Sequence, residues 1–293
     1  MSDRDFVGYG ATPPDPLWPD GARIAVQFVL NYEEGGERSV ESGDGEAETF
    51  LHEVVGSAPV PRREPNVESV YEYGSRAGFW RLHRLFTSRK IPLTIYGVTE
   101  ALEKNPDAVA AMVAANWEVA SHALRWIDYG TMAIEDERAQ MADAIRRHTA
   151  VVGTRPEGWY TGRVSPNTLQ LVMEDGGFLY SSDSYADDLP YWVKGARPHL
   201  IIPYTLDAND MRFAAMAGFN AGPQFEAYLR DAFDTLYEEG GRMMSVGLHC
   251  RLVGRPGRAA ALRRFLDYVA SKPDVWLCRR VDIARHWHAH HAP

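Results

Sequence analysis

Two adjacent carboxylates, Glu33 and Glu34, come just after the apolar run Val26-Gln27-Phe28-Val29-Leu30 and the pair Asn31-Tyr32, and precede the turn-forming pair Gly35-Gly36. Acids at the carboxyl end of a strand buried on both faces stand where α/β proteins carry their chemistry. The same arrangement recurs along the chain. Ser121-His122-Ala123-Leu124-Arg125-Trp126 follows one short apolar strand, Tyr160-Thr161-Gly162-Arg163 the next, and Ser181-Ser182-Asp183-Ser184 the one after. Asp207-Ala208-Asn209-Asp210 comes after Pro203-Tyr204, and His249 ends the run from Met243 to Leu248. In a barrel of parallel strands these ends converge on one face. The residue types suit hydrolysis of an acyl C–N or C–O bond, which needs a base for water, donors for the oxyanion and an acid for the leaving atom. Glu33 and His249 can divide the base and acid roles, and Asp183 can orient and charge the histidine. No Gly-x-Ser-x-Gly elbow occurs, which favours direct attack by water over a covalent intermediate.

The elements that must position these residues are legible in the hydrophobic rhythm. Phe79, Trp80, Leu82, Leu85 and Phe86 recur at helical spacing within 76–89. Helices are also expected over 106–115, 134–151, 167–174, 224–238, 259–271 and 281–288. Strands over 91–96, 118–121, 158–161, 178–181, 199–204, 243–248 and 275–277 alternate with them. Alternation of this kind predicts a single α/β domain spanning 1–293, with a parallel sheet closed as a barrel. Residues 1–22 read as a tail wrapping the domain, rich in Gly and Pro from residue 7 onward. The stretch 36–74 reads as a long loop insertion, functional or part of an interface, with a disordered insertion as the alternative.

The 293 residues are 45% hydrophobic and 24% charged, as in ordinary globular proteins. With 31 basic against 40 acidic residues the net charge is −9, which argues against a nucleic-acid or anionic membrane surface and leaves a small molecule as the expected partner. Cys250 and Cys278 each lie in an apolar run and read as reduced, buried thiols. The start, Met1-Ser2-Asp3-Arg4-Asp5-Phe6, has neither a basic nor an apolar region, and no run approaches a membrane span, so a cytoplasmic protein is expected.

The pattern resembles the polysaccharide deacetylase superfamily, and the resemblance implies an irregular (β/α)7-type barrel. It also assigns roles. Asn31-Tyr32-Glu33-Glu34-Gly35 stands where the family has Thr-Phe-Asp-Asp-Gly, which gives Glu33 the base role and Glu34 the slot of a metal-binding carboxylate. The family's His-x-x-x-His becomes His122 and Trp126, its acid and tryptophan become Asp183 and Trp192, and its acid-catalyst histidine becomes His249. Tyr160 falls in the slot of the family's arginine, with Arg163 three residues on. Trp126 removes the second histidine, so only Glu34 and His122 remain to hold a zinc or other divalent ion. Metal independence is therefore expected, with His122, Arg125, Arg163 and indole N–H groups as donors to the carbonyl.

A narrower resemblance spans nearly the whole chain. The runs Asn31–Arg38, Tyr71–Gly78, Gly158–Arg163, Asp187–Trp192, Pro203–Phe213 and Leu248–Pro256 are similar to those of cofactor-independent allantoinases. That likeness implies opening of the hydantoin ring of allantoin to allantoate in purine ureide catabolism, without a cofactor, by a homotetramer. Glu33 then deprotonates water and His249 protonates the departing ring nitrogen. Trp126 and Trp192 wall the pocket, while Arg76, Tyr160 and Asn209 hold the substrate. Plainer accounts stand beside these: core packing for each tryptophan, a surface ion pair for Arg76, a turn for Asn209, and helix caps for Asp207 and Asp210. Two other functions compete. One is a metal-dependent deacetylase of an N-acetylated sugar or another cyclic-amide hydrolase, and the other is a barrel that binds its ligand without turnover.

Overall fold

A nine-residue strand, β1 (Ile24–Tyr32), is buried along its whole length because it has neighbours on every side. A computed structural model describes residues 4–49 and 60–293. After β1 come α1 (Pro65–Tyr73), α2 (Phe79–Thr87), β2 (Thr94–Gly97), α3 (Thr99–Lys104), α4 (Pro106–Ala114), β3 (Glu118–Ser121), α5 (Ile134–Val152), β4 (Gly158–Trp159), α6 (Thr168–Asp175) and β5 (Tyr180–Ser181). The chain continues through β6 (Tyr191–Val193), β7 (His199–Ile201), α7 (Gly222–Glu239), β8 (Arg242–His249), α8 (Pro256–Ala270), β9 (Val275–Leu277) and α9 (Arg280–His290). The strands form one sheet in the order β6-β7-β5-β4-β3-β2-β1-β8, with β9 also on β1. All pairs are parallel except β6 with β7.

The sheet curls into a half-barrel. Its two edges approach each other at a seam: Gly247 N donates to Ala208 O at 3.0 Å, and Met243 N to Asp188 O at 3.0 Å. The parallel register aligns the strand ends. Tyr32 pairs with Gly97, Gly97 with Ser121, Ser121 with Trp159, and Trp159 with Ser181, while Asn31 pairs with His249. The residues immediately beyond, Glu33, His122 and Tyr160, therefore share one rim with His249. On the outer side, Phe28 of β1 meets Phe86 of α2 and Phe265 of α8 edge to face at 5.5 and 6.2 Å, which anchors both helices on the central strand.

Three local expectations change. The stretch 36–74 is not loop throughout: Pro65 opens α1, and α1 runs through a π-type turn, Gly74–Gly78, straight into α2. The strand expected over 199–204 ends at Ile201, because the carbonyls of Ile202 and Pro203 turn inward to Arg280. The antiparallel edge strand β6 and the six-residue α3 are too short for periodicity to reveal. The amino-terminal segment lies along the barrel wall. Tyr9 Oη donates to Pro190 O at 2.6 Å, and the buried Trp18 indole donates to Arg242 O at 2.9 Å. Cys250 and Cys278 are buried free thiols. Among the described residues no helix is long and apolar enough to cross a membrane.

The barrel interior is closed by Arg280, the first residue of α9, which has no solvent exposure. Its guanidinium donates to Gln27 Oε1 at 2.5 Å, to Ser245 Oγ, Ser182 Oγ and Pro203 O at 2.9 Å each, and to Ile202 O. One side chain thus ties β1, β8, the chain just after β5 and the chain after β7 together. Removing it strands several buried acceptors at once. Arg280→Ala should cost about 3 kcal/mol or more of stability, read as a lower midpoint in urea denaturation, whereas the surface change Arg62→Ala should move it hardly at all.

Candidate active site

Glu33 stands just past the end of β1 and is 1% exposed. Its two oxygens face different partners. Oε1 lies 3.3 Å from His122 Nε2 and 3.5 Å from His249 Nε2, and Oε2 accepts from Arg251 Nη2 at 2.6 Å. Burial alone would raise this carboxyl, but Arg251, His249 and His122 outweigh it and hold Glu33 well below the ordinary value. Glu33 is therefore an anion at neutral pH.

His249 ends β8 and is fixed from behind by Asp210. Nδ1 lies 2.6 Å from Asp210 Oδ1, and Asp210 Oδ2 accepts the backbone N–H groups of His249 at 2.8 Å and Val253 at 2.9 Å. This contact makes Nδ1 the donor to Asp210 and turns Nε2 toward Glu33. Burial would depress the imidazole, yet the negative charges of Asp210 and Glu33 push it up to about 9. A protonated acid and an ionised base thus face each other across 3.5 Å.

The floor beneath them is aromatic. Tyr160 stacks on Tyr96 at 4.6 Å between centroids, meets His122 at 4.9 Å and meets Tyr204 edge-on at 5.1 Å. His122 Nδ1 is buried with no hydrogen-bond partner among the described residues, so the tyrosines and Glu33 set that ring's position. Trp126 is buried, with Arg251 at 5.3 Å and Arg163 at 5.2 Å from its ring. Glu34 accepts from Glu33 N at 3.1 Å, and its Oε1 sits 3.7 Å from Arg251 Nη1. That oxygen also lies against Gly74, where a Cβ would collide with it, so the π-type turn needs glycine here. Burial pushes Glu34 up to about 7, with Arg251 opposing and Glu33 adding to the shift.

The structure gathers Glu33, Glu34, His122, Trp126, Tyr160 and His249, with Arg163 at the margin. Other nominated residues stand elsewhere. Asp183 does not orient His249: its carboxylate accepts Thr161 N at 2.9 Å and Gly162 N at 2.7 Å, holding the loop behind Tyr160. Asp210 occupies the orienting position instead. Trp192 belongs to β6, whose antiparallel pairing turns its indole to His291 O and its ring edge to His288, outside the site. Arg76 lies on the rim of a cleft of about 500 Å³ that reaches Glu34, but its side chain is 79% exposed and pairs with Glu72 at 3.5 Å. Asn209 caps the turn Asp210–Ala214 through Met211 N and donates to Thr205 O. Arg125 is held by Asp44 and Glu100, which leaves it no place as an oxyanion donor.

Two residues escaped sequence reasoning. Asp210 carried only the look of a helix cap, although it opens a short turn next to the strand-end cluster. Arg251 lies two positions after His249, in the turn that follows β8, where no strand alternation fixes the side that a residue faces. Among the described residues no three His, Cys, Asp or Glu side chains converge as a metal-binding group.

The fold and site define a half-barrel with a buried carboxylate–imidazole pair at the carboxyl ends of parallel strands, an arrangement that can exchange protons with a bound molecule. Comparison with known proteins places it further. Residues 60–176 match the polysaccharide deacetylase family model. A Schizosaccharomyces pombe protein, provisionally named a polysaccharide deacetylase, is 44% identical over 98% of each chain. A Pseudomonas aeruginosa PAO1 crystal structure, also provisionally named a polysaccharide deacetylase, is 57% identical with a TM-score of 0.98 over 99% of each chain. A crystal structure of PuuE allantoinase shows the same identity, coverage and TM-score. The chain belongs to the polysaccharide deacetylase family.

The charge state of His249 is open to direct measurement. Its ring should titrate near pH 9 in a histidine-resolved NMR experiment. Asp210→Asn should lower that midpoint by about one unit or more, while Asp183→Asn should leave it in place.

Proposed function

We propose that this protein hydrolyses the ring amide of allantoin to give allantoate, without a metal ion. The likeness to PuuE allantoinase supports the substrate. The observation that carries the chemistry is Glu33 Oε1 between His122 and His249, with acid and base already in their working charge states. Glu33 takes a proton from water as the oxygen bonds to the ring carbonyl carbon. The ring C–N bond then breaks as His249 delivers its proton to the leaving nitrogen. The Glu33 proton can pass to His249 across their short gap and reset the pair, and the new carboxylic acid loses its proton to solvent. The cations that keep Glu33 ionised also weaken it as a base, so placement of the water contributes more than basicity. With Arg125 and the Trp192 indole engaged elsewhere, His122, Arg163 and the Trp126 indole N–H are the nominated donors left to meet the oxyanion.

The metal-free part of this reading rests on the donors. Glu34 and His122 are two ligands of the three that a catalytic zinc site takes, an indole has no lone pair to offer, and a guanidinium already lies beside Glu34. These residues do not fit a divalent ion. The homotetramer that the resemblance implies and the cytoplasmic compartment expected from the sequence complete the proposal.

The deciding experiment is turnover of allantoin after exhaustive chelation. Full activity is expected with chelator present, and Glu33→Gln and His249→Ala should each lower kcat by roughly 10²–10⁴-fold while melting stays cooperative. Activity that vanishes on chelation and returns with zinc would place the protein with the metal-dependent deacetylases instead.

A further inference from the structure

We propose that the Arg251 guanidinium is a built-in cation standing where a divalent ion would otherwise sit, and that it closes the site to metals as firmly as Trp126 does. The catalytic meaning of this rests on the metal-free reading above, but ion binding is measured apart from turnover and can fail separately.

Arg251 has no solvent exposure. Nη2 bonds Glu33 at 2.6 Å, Nη1 faces Glu34 at 3.7 Å, and the guanidinium carbon lies 4.4 Å from the Tyr71 ring centre and 5.3 Å from that of Trp126. It thus touches the base and approaches both the carboxylate in the ligand slot and the indole in place of the missing histidine. A guanidinium keeps its charge at every accessible pH, and its planar fork can face two carboxylates at once. Aromatic faces stabilise such a cation, which an imidazole in ligand form would do less well. Trp126 and Arg251 are therefore a matched pair. A divalent ion entering beside Glu34 meets a fixed positive charge that burial leaves unscreened. Restoring the histidine alone should not restore a metal site, because the guanidinium would still be there. Removing Arg251 alone leaves two buried carboxylates without their cation and one ligand too few. Only the joint change provides both the vacancy and the third ligand. Arg251 acts through Glu33 and Glu34, as a positioning residue.

The test uses the full chain as Trp126→His, Trp126→His/Arg251→Lys and Trp126→His/Arg251→Gln. Each is titrated with Zn²⁺ by calorimetry and with Co²⁺ by visible absorption, and melting is followed with and without metal. The Gln double variant should bind one equivalent at least about 100-fold tighter than Trp126→His, show cobalt d–d bands, and gain melting temperature with metal. The Lys double variant, still carrying a positive charge, should refuse the ion as Trp126→His does. The proposal is overturned if Trp126→His binds as tightly as the Gln double variant, if the Lys variant matches the Gln variant, or if the Gln double variant neither folds nor binds at any metal concentration. Metal-dependent turnover by the native protein would overturn the function above, whereas a native enzyme that ignores metal beside a Gln double variant that cannot bind one would overturn this inference alone.

Discussion

A carboxylate with 1% exposure stays ionised only when positive charge is fixed beside it, and the site is organised by that requirement at Glu33. Charges alternate through the pocket: Asp210, then His249, then Glu33, then Arg251, with Glu34 at the end. Each member would be costly alone and is stabilised by the next. No one strand could supply such a series. It comes from β1, from the turn after β7 and from the end of β8, so the charge order exists only when the sheet has curled and its seam has formed.

The sequence disclosed the parts of this that follow from repetition. Short apolar strands alternating with helices gave the barrel class, and polar residues after each strand gave the rim. Glu33, His122, Tyr160 and His249 were found because parallel register makes strand ends equivalent, a rule that needs no coordinates. What stayed hidden depends on chain paths with no period. Asp183 and Asp210 both follow strands, and nothing local says that one turns to backbone amides while the other reaches His249. Trp192 matched a motif by type, but its strand runs antiparallel and faces the carboxyl-terminal helix. Arg251 was passed over because nothing in its run marks it as buried, and arginines are mostly exposed.

The segment after Glu34 helps to bury the site. Trp126 N donates to Gly36 O at 2.8 Å, Arg125 grips Asp44 through two bonds at 2.6 and 2.8 Å, and Arg163 meets Glu48 at 3.1 Å. Residues 36–48 thus lie across the rim and are fastened to the loops after β3 and β4. Two arginines nominated from sequence as donors to a substrate are used at least in part to hold this cover. Excluding water in this way strengthens each electrostatic contact below it, the imidazolium–carboxylate pair included.

The central strand has an awkward place in time. β1 takes β8 along one edge and shares β9, and Asn31 reaches Leu248 O, 217 positions later. At ~5–20 residues per second on the ribosome, roughly ten to forty seconds separate synthesis of the two strands. The nascent chain carries the strand that bears its base with one edge uncovered for that interval, and the arginine that plugs the interior arrives with the last helix.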